Sequence, residues 1–266
     1  MKRQRLNWQE KVRKNVRKIM DFEHVKAVFE EYLNGYDREN DKVKLKIVHT
    51  YGVIRCSEEI GRRMGLQAED MELAKLIALL HDIGRFEQLK RFNSFEADTM
   101  DHATYGVKVL FEEGMIRQFI EEDTWDDVIR TAIAKHSDYE LTGITDERTL
   151  LHARLIRDAD KLDNCRVKLE DAMETLLDLS ADEVGKYAIS PKVREDAFAG
   201  KCICSKDRRT PMDYWVSYVA YFYDLNFRET LDIVAEEQYV KRIIGRVPYT
   251  NEQTKKTMEE LERQLT

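Results

Sequence analysis

The chain has six histidines, His24, His49, His81, His102, His136 and His152, and three of them sit among apolar neighbours at helical spacing. His49 follows Leu45 and precedes Val53; His81 follows Ala74, Ile77 and Ala78; His136 follows Ile129, Ala132 and Ile133. Residues three and four apart share one face of a helix, so each imidazole is expected on a buried stripe. Asp160 lies one turn after Ile156, and Asp82 directly follows the most apolar stretch of the sequence. An ionised carboxylate on such a face is costly unless a partner neutralises it. A cation held by imidazole nitrogens and carboxylate oxygens would neutralise both aspartates, and this donor set suits zinc, iron, manganese or cobalt better than calcium. Taken singly, each residue has a plainer use. A buried histidine commonly bonds a backbone carbonyl, Asp160 could pair with Arg157 or Lys161, and Asp82 could accept a hydrogen bond at a helix end.

The order of these residues carries a resemblance. His49, then His81-Asp82 within Leu79-Leu80-His81-Asp82-Ile83-Gly84-Arg85, then Asp160 within Asp158-Ala159-Asp160-Lys161-Leu162-Asp163, resembles the HD-domain superfamily over roughly residues 45–165. The dipeptide alone is trivial; the ordered set in helical contexts is far more specific. The resemblance implies an all-α, HD-domain-like multi-helix bundle with additional N- and C-terminal helices. It implies a metal-dependent phosphohydrolase acting on a small phosphomonoester or phosphodiester, with nucleotides as the default substrate. It further implies one metal on His49, His81, Asp82 and Asp160, and a second on Asp82, His102 and His136. Iron, manganese, zinc, cobalt and magnesium all remain open, as do one ion or two. The same residue order is also found in HD-domain oxygenases resembling inositol oxygenase, where a di-iron pair activates oxygen, and that stands as the alternative. The signature of cyclic-dinucleotide hydrolases is missing around His136, where the text reads His136-Ser137-Asp138-Tyr139.

On this reading a water activated by metal attacks phosphorus, Asp82 is its central catalytic carboxylate, and nearby cations offset charge on the phosphoryl oxygens. Arg85 and Lys161 are the candidate cations, with Lys135 behind them. The segment 84–101, with Arg85, Lys90, Arg91 and several phenylalanines, is expected to be a loop that contacts substrate.

The elements that must position these groups read as helices. Helical patterns cover residues 43–63, 70–83 (with Gly84 as the residue closing that helix), about 102–113, 124–136 with Thr124 at its start, and 147–164 capped by Asp146. Further helical patterns cover 165–178, 213–223, 228–244 and 252–265, and the stretch 185–211 is the main break. A short hairpin within 196–205 is the one place where strands are conceivable. The expected layout is a basic N-terminal helical extension over 1–40, a metal-binding core over 41–180 and a C-terminal helical extension over 181–266. The aromatic C-terminal helices either pack internally or build a homodimer interface.

Bulk composition narrows the class. The chain has 266 residues, 42% hydrophobic and 36% charged, which fits a globular core beneath a charged surface. No apolar run reaches the roughly 18–20 residues of a membrane helix, and the first residues lack the apolar centre of a signal peptide. Cytoplasmic placement is therefore expected, with no membrane partner. The net charge of −7 argues against whole-surface nucleic-acid binding, although residues 2–18 are strongly basic. The four cysteines are expected to stay thiols, and the Cys202-Ile203-Cys204 pair is only a weak metal signal.

Overall fold

A computed structural model of the chain describes residues 20–96 and 98–266. The basic segment 2–18 lies outside the described residues. Among those described there is no strand. The helices that matter for the site are α1 (Phe22–Leu33), α2 (Asp41–Met64), α3 (Ala68–Leu80), α4 (Ile83–Phe92), α5 (His102–Val107), α6 (Ile116–Phe119), α7 (Asp126–Lys135) and α8 (Glu147–Glu170). Short helices α9 (Met173–Leu177), α10 (Ala181–Val184) and α11 (Pro191–Phe198) follow. The chain closes with α12 (Pro211–Ala220), α13 (Arg228–Glu236), α14 (Tyr239–Ile244) and α15 (Glu252–Leu265).

Local chemistry sets the ends of the two longest helices. Asn40 accepts from the amides of Lys42 and Val43 at the start of α2, and Gly65, in the left-handed region at φ 71°, stops it. Asp146 accepts from the Thr149 amide at 2.7 Å and opens α8. These two helices pack against each other, α3 packs on both, and α7 lies along α8. Leu76, Ile77, Leu79 and Leu80 of α3 are all buried. Each such side chain contributes about 1.5–3 kcal/mol on burial, so α3 is held in place by its own apolar surface. One hydrophobic cluster runs from Phe22 to Leu261 and takes in Trp215 of α12, which is fully buried.

The structure corrects several expectations. The helix of 70–83 ends at Leu80, and the chain turns at Asp82, whose φ of −106° and ψ of 18° leave the helical region. Residues 83–92 are a helix rather than a loop. Ile83, Phe86 and Leu89 are buried at a three-residue spacing, a stripe that the interleaved charges of Arg85, Glu87, Lys90 and Arg91 obscure. Gly84 therefore lies inside α4 and closes nothing. A Cβ there would overlap the His102 carbonyl oxygen and approach Gly106 N to 2.7 Å, so the glycine exists to let α4 and α5 touch. The helix expected from Thr124 starts at Asp126 without a side-chain cap. The expected helix over 228–244 is two, α13 and α14, broken at Gln238 with φ 52°. The conceivable hairpin is absent: α11 fills 191–198 and Gly200 turns the chain at φ 69°. No helix among the described residues is long and apolar enough to cross a membrane.

Replacing Gly84 with alanine should push α5 off α4 and destabilise the protein by about 1–3 kcal/mol, the usual cost of overpacking. Chemical denaturation would register it as a lower midpoint; an unchanged midpoint would show that the close approach is dispensable.

Candidate metal centre

Three imidazoles have their tautomers set by what stands behind them. His81 Nδ1 lies 2.8 Å from the Ala78 carbonyl, and His136 Nδ1 lies 2.7 Å from the Ile133 carbonyl. A carbonyl only accepts, so both Nδ1 atoms carry the proton, and in the neutral ring Nε2 presents a lone pair. His102 reaches the same state differently. Arg85 Nη2 donates to its Nε2 at 3.0 Å, and a guanidinium has nothing but donors. Burial, helped by the adjacent Arg85 charge, pushes His102 down to about 4, so it is neutral at pH 7. His49 is flanked by two carboxylates, with Nδ1 2.8 Å from Asp163 Oδ2 and Nε2 2.9 Å from Asp160 Oδ1. A ring with a single N–H can donate to only one of the two carboxylates and turns a lone pair on the other.

These lone pairs point at more acceptors. His102 Nε2 is 3.1 Å from His136 Nε2 and 3.1 Å from Asp82 Oδ1, and His136 Nε2 is 3.6 Å from the same oxygen. His81 Nε2 is 3.4 Å from Asp82 Oδ2 and 3.8 Å from Asp160 Oδ1. Burial alone would raise Asp82, but the Lys46 ammonium seated on it holds its carboxyl well below the usual carboxylate range. Burial opposes ionisation of Asp160 too, and His49, His81 and Lys46 hold that carboxyl low. His81 Nε2 and Asp82 Oδ1 are buried without any hydrogen-bond partner. Buried polar atoms are seldom left so. A divalent cation fits this arrangement: it would satisfy imidazole nitrogens and carboxylate oxygens that stand 3–4 Å apart, two of them buried with no partner.

Two overlapping groups could hold such ions. His49, His81 and Asp160 offer ligand atoms within 4.8 Å of one another, and so do His81, Asp82 and His136. His81 belongs to both, whereas the sequence suggested Asp82 as the bridging residue. His102 joins the second group through its 3.1 Å contacts. None of the four free cysteines contributes to either group.

The expected cations sit unequally. Arg85 lies in the first turn of α4, not in a loop; besides His102 it donates to Gln88 and, at 3.2 Å, to the Phe95 carbonyl. Lys161 is held 2.7 Å from Asp224, so its charge is already offset. Lys135 faces Asp138 at 3.4 Å, and Arg91 pairs with Glu87 at 2.6 Å. Of the segment 84–101, Arg85 and residues of the true loop, including Phe95, Glu96 and Asp101, line the cleft.

Several residues went unnoticed in the sequence. Lys46, one turn before His49, places its ammonium directly on Asp82. Asp163, one turn after Asp160, orients His49 while held twice by Arg166 at 2.9 Å. It can do so because Gly52 opposite has no Cβ, which would overlap the Asp163 carboxylate. Arg157 donates to the carbonyls of Lys135, His136 and Asp138 at 3.1, 3.2 and 2.6 Å and so fixes the end of α7 where His136 sits. Spacing would have revealed Lys46 and Asp163, since both share a helix face with a suspected ligand. His49, Asp82, His102, His136 and Asp160 all open onto a cleft of about 870 Å³, and His81 stands buried behind them.

Comparison with known proteins bears on this arrangement. Residues 47–165 match the family model described as HD domain. The chain is 30% identical over 165 residues to Ribonuclease Y of Acetivibrio thermocellus, a match covering 59% of this chain and 27% of that protein. The chain thus spans about a quarter of that relative's length. No solved structure matches it significantly. The matched segment begins just before His49 and ends just after Asp163, with all six clustered side chains inside it: residues 47–165 are an HD domain.

Proposed function

We propose that this chain is a metal-dependent phosphohydrolase, cleaving a phosphomonoester or phosphodiester, with a nucleotide as the favoured substrate class. The observation that carries the proposal is the cluster of imidazole lone pairs around Asp82 at the edge of an open cleft. His49, His81, Asp82 and Asp160 would hold one divalent ion, and Asp82, His102 and His136 a second. Bound there, the metal supplies a Lewis acid that lowers the pKa of water toward neutrality. The HD domain, a superfamily of metal-dependent phosphohydrolases, supports that chemistry, and a relative bearing the name ribonuclease supports a nucleotide phosphoester.

The chain's own groups divide the remaining work. Asp163 and the carbonyls of Ala78 and Ile133 hold three imidazoles in register, which is how outer partners commonly raise ligand basicity. Arg85 brings positive charge to the edge of the cluster, where developing charge on phosphoryl oxygens would be offset, while Lys46 is already seated on Asp82. The planar fork of Arg85 suits two phosphoryl oxygens at once. Lys161 adds less, because Asp224 holds it. The overlap of the two ligand groups at His81 also suits a di-iron oxygenase. Oxygen consumption with a polyol or phosphonate, without phosphate release, would replace the hydrolytic reading.

Asp82→Ala should strip bound metal and lower hydrolysis of bis(p-nitrophenyl) phosphate by on the order of 10²–10³-fold or more, with a helical circular-dichroism spectrum retained. Elemental analysis showing full metal content in this variant would refute the ligand assignment. His102→Ala should lose one metal equivalent of two; unchanged stoichiometry would reject the second ion. Asp163→Asn and Gly52→Ala, which remove or displace the partner of His49, should each weaken metal binding by about 10–100-fold. Competition with a chelator measures this, and unaltered affinity in both would show that Asp163 does not tune the site.

A further inference from the structure

Most buried cations lining the cleft have an anion of their own. Lys46 sits on Asp82, Arg157 is 2.6 Å from Asp224 and Lys161 is 2.7 Å from the same carboxylate. Lys168 is different. It lies two turns beyond Asp160 on α8, is 7% exposed and lines the cleft. Its ammonium has a 3.4 Å contact with Asn164 Oδ1 and stands 4.0 Å above the ring of Tyr218. Among the described residues no carboxylate comes within 4.0 Å of it. A buried ammonium served by one long hydrogen bond and an aromatic face is only partly compensated. Burial, with Lys46 repelling it, pushes Lys168 down to about 8, so it still carries its charge at neutral pH.

The wall facing Lys168 repeats the pattern. Tyr214 and Tyr218 are one turn apart on α12, and the Arg208 guanidinium stacks 4.3 Å above Tyr214. Arg208 has no carboxylate partner among the described residues, and its one side-chain hydrogen bond is to the Ser205 carbonyl at 3.4 Å. Tyr221, in the turn that continues α12, is close enough to feel the charges of both Arg208 and Asp160. The two uncompensated cations and the metal cluster therefore open onto the same space.

We infer that Lys168 and Arg208 form a second anion subsite, which receives a phosphoryl group of the substrate other than the one being cleaved. The assignment rests on the hydrolytic reading above and narrows its substrate class to molecules phosphorylated at two positions, such as a nucleoside bisphosphate or a dinucleotide. Two cations on aromatic supports match the double charge of a phosphoryl group better than that of a carboxylate. Asn164 bridges the two sites, with its Nδ2 3.0 Å from Asp160 Oδ1 and its Oδ1 3.4 Å from the Lys168 ammonium, so the two anionic groups belong close together, as on one ribose.

Full-length protein, as purified and with metal content matched between variants, provides the test. Binding of inorganic pyrophosphate, measured by calorimetry, should weaken at least about ten-fold in Lys168→Met, the usual loss for a charged hydrogen bond. Lys168→Arg should restore most of it. In kinetics, wild type should favour adenosine 3′,5′-bisphosphate over adenosine 5′-monophosphate, and Lys168→Met should cut that preference in kcat/KM about ten-fold, mainly through KM. Arg208→Ala should move both readouts the same way, and it replaces Lys168→Met should that variant fail to fold. Undiminished pyrophosphate binding in the variants overturns the subsite. Equal loss on both nucleotides also overturns it, because Lys168 would then serve the cleaved phosphate. No hydrolysis of either nucleotide or of bis(p-nitrophenyl) phosphate, with pyrophosphate binding still dependent on Lys168, overturns the hydrolytic reading and supports the anion site.

Discussion

Acceptor atoms repel when no proton stands between them, and this protein holds several of them within hydrogen-bond distance. The imidazole nitrogens of His102 and His136 lie 3.1 Å apart, each turned toward an ionised Asp82, and each with its proton on the far side of the ring. Such a cluster persists only where the scaffold is stiffer than the repulsion is strong, or where a cation joins it. The scaffold is built accordingly. α2, α3, α5, α7 and α8 each bring a clustered side chain, and the fully apolar α3 lies against both long helices. Charged groups inside the protein then act as props. Lys46 covers one oxygen of Asp82, Arg166 pins Asp163 behind His49, and Arg157 ties down the helix end that presents His136.

Much of this was legible before any coordinates. Histidines on apolar faces, an aspartate after the most hydrophobic helix and a later aspartate on a third helix are conspicuous because burial makes them expensive. That these residues converge follows from helix periodicity plus the need to bury one face. Lysines and arginines are harder to read. Lys46 and Lys168 look like the solvated side of a helix, since a cation gives no sign in sequence of whether its long stem leads outward or inward. Asp163 was quoted within its motif yet passed unremarked, because its partner is a histidine 114 positions away.

The elements misjudged share a cause as well. α4 carries its buried stripe beneath alternating charges, and Gly84 was taken for a helix stop when its role is to admit a neighbouring backbone. The break at Gln238 has no proline or glycine to announce it, and the one glycine near the turn at Asp82, Gly84, lies beyond it inside the next helix. Local signals mark most helix boundaries, but these two are imposed by where the flanking helices have to go.

Asp224 lies downstream of the HD segment and accepts from both Arg157 and Lys161 within it. Tyr218, from the same downstream region, faces Lys168 just past the segment's end, and Tyr214 one turn before it carries Arg208. The matched stretch accordingly carries the clustered imidazoles and carboxylates but not the far bank of its own cleft. Modularity stops there: a chain with the same clustered stretch and different helices after it would keep that cluster while presenting another shape and charge to whatever enters. The clustered side chains and the wall opposite them thus come from separate parts of one polypeptide, joined through Asp224, through Asp158 and through the Arg63–Glu236 pair.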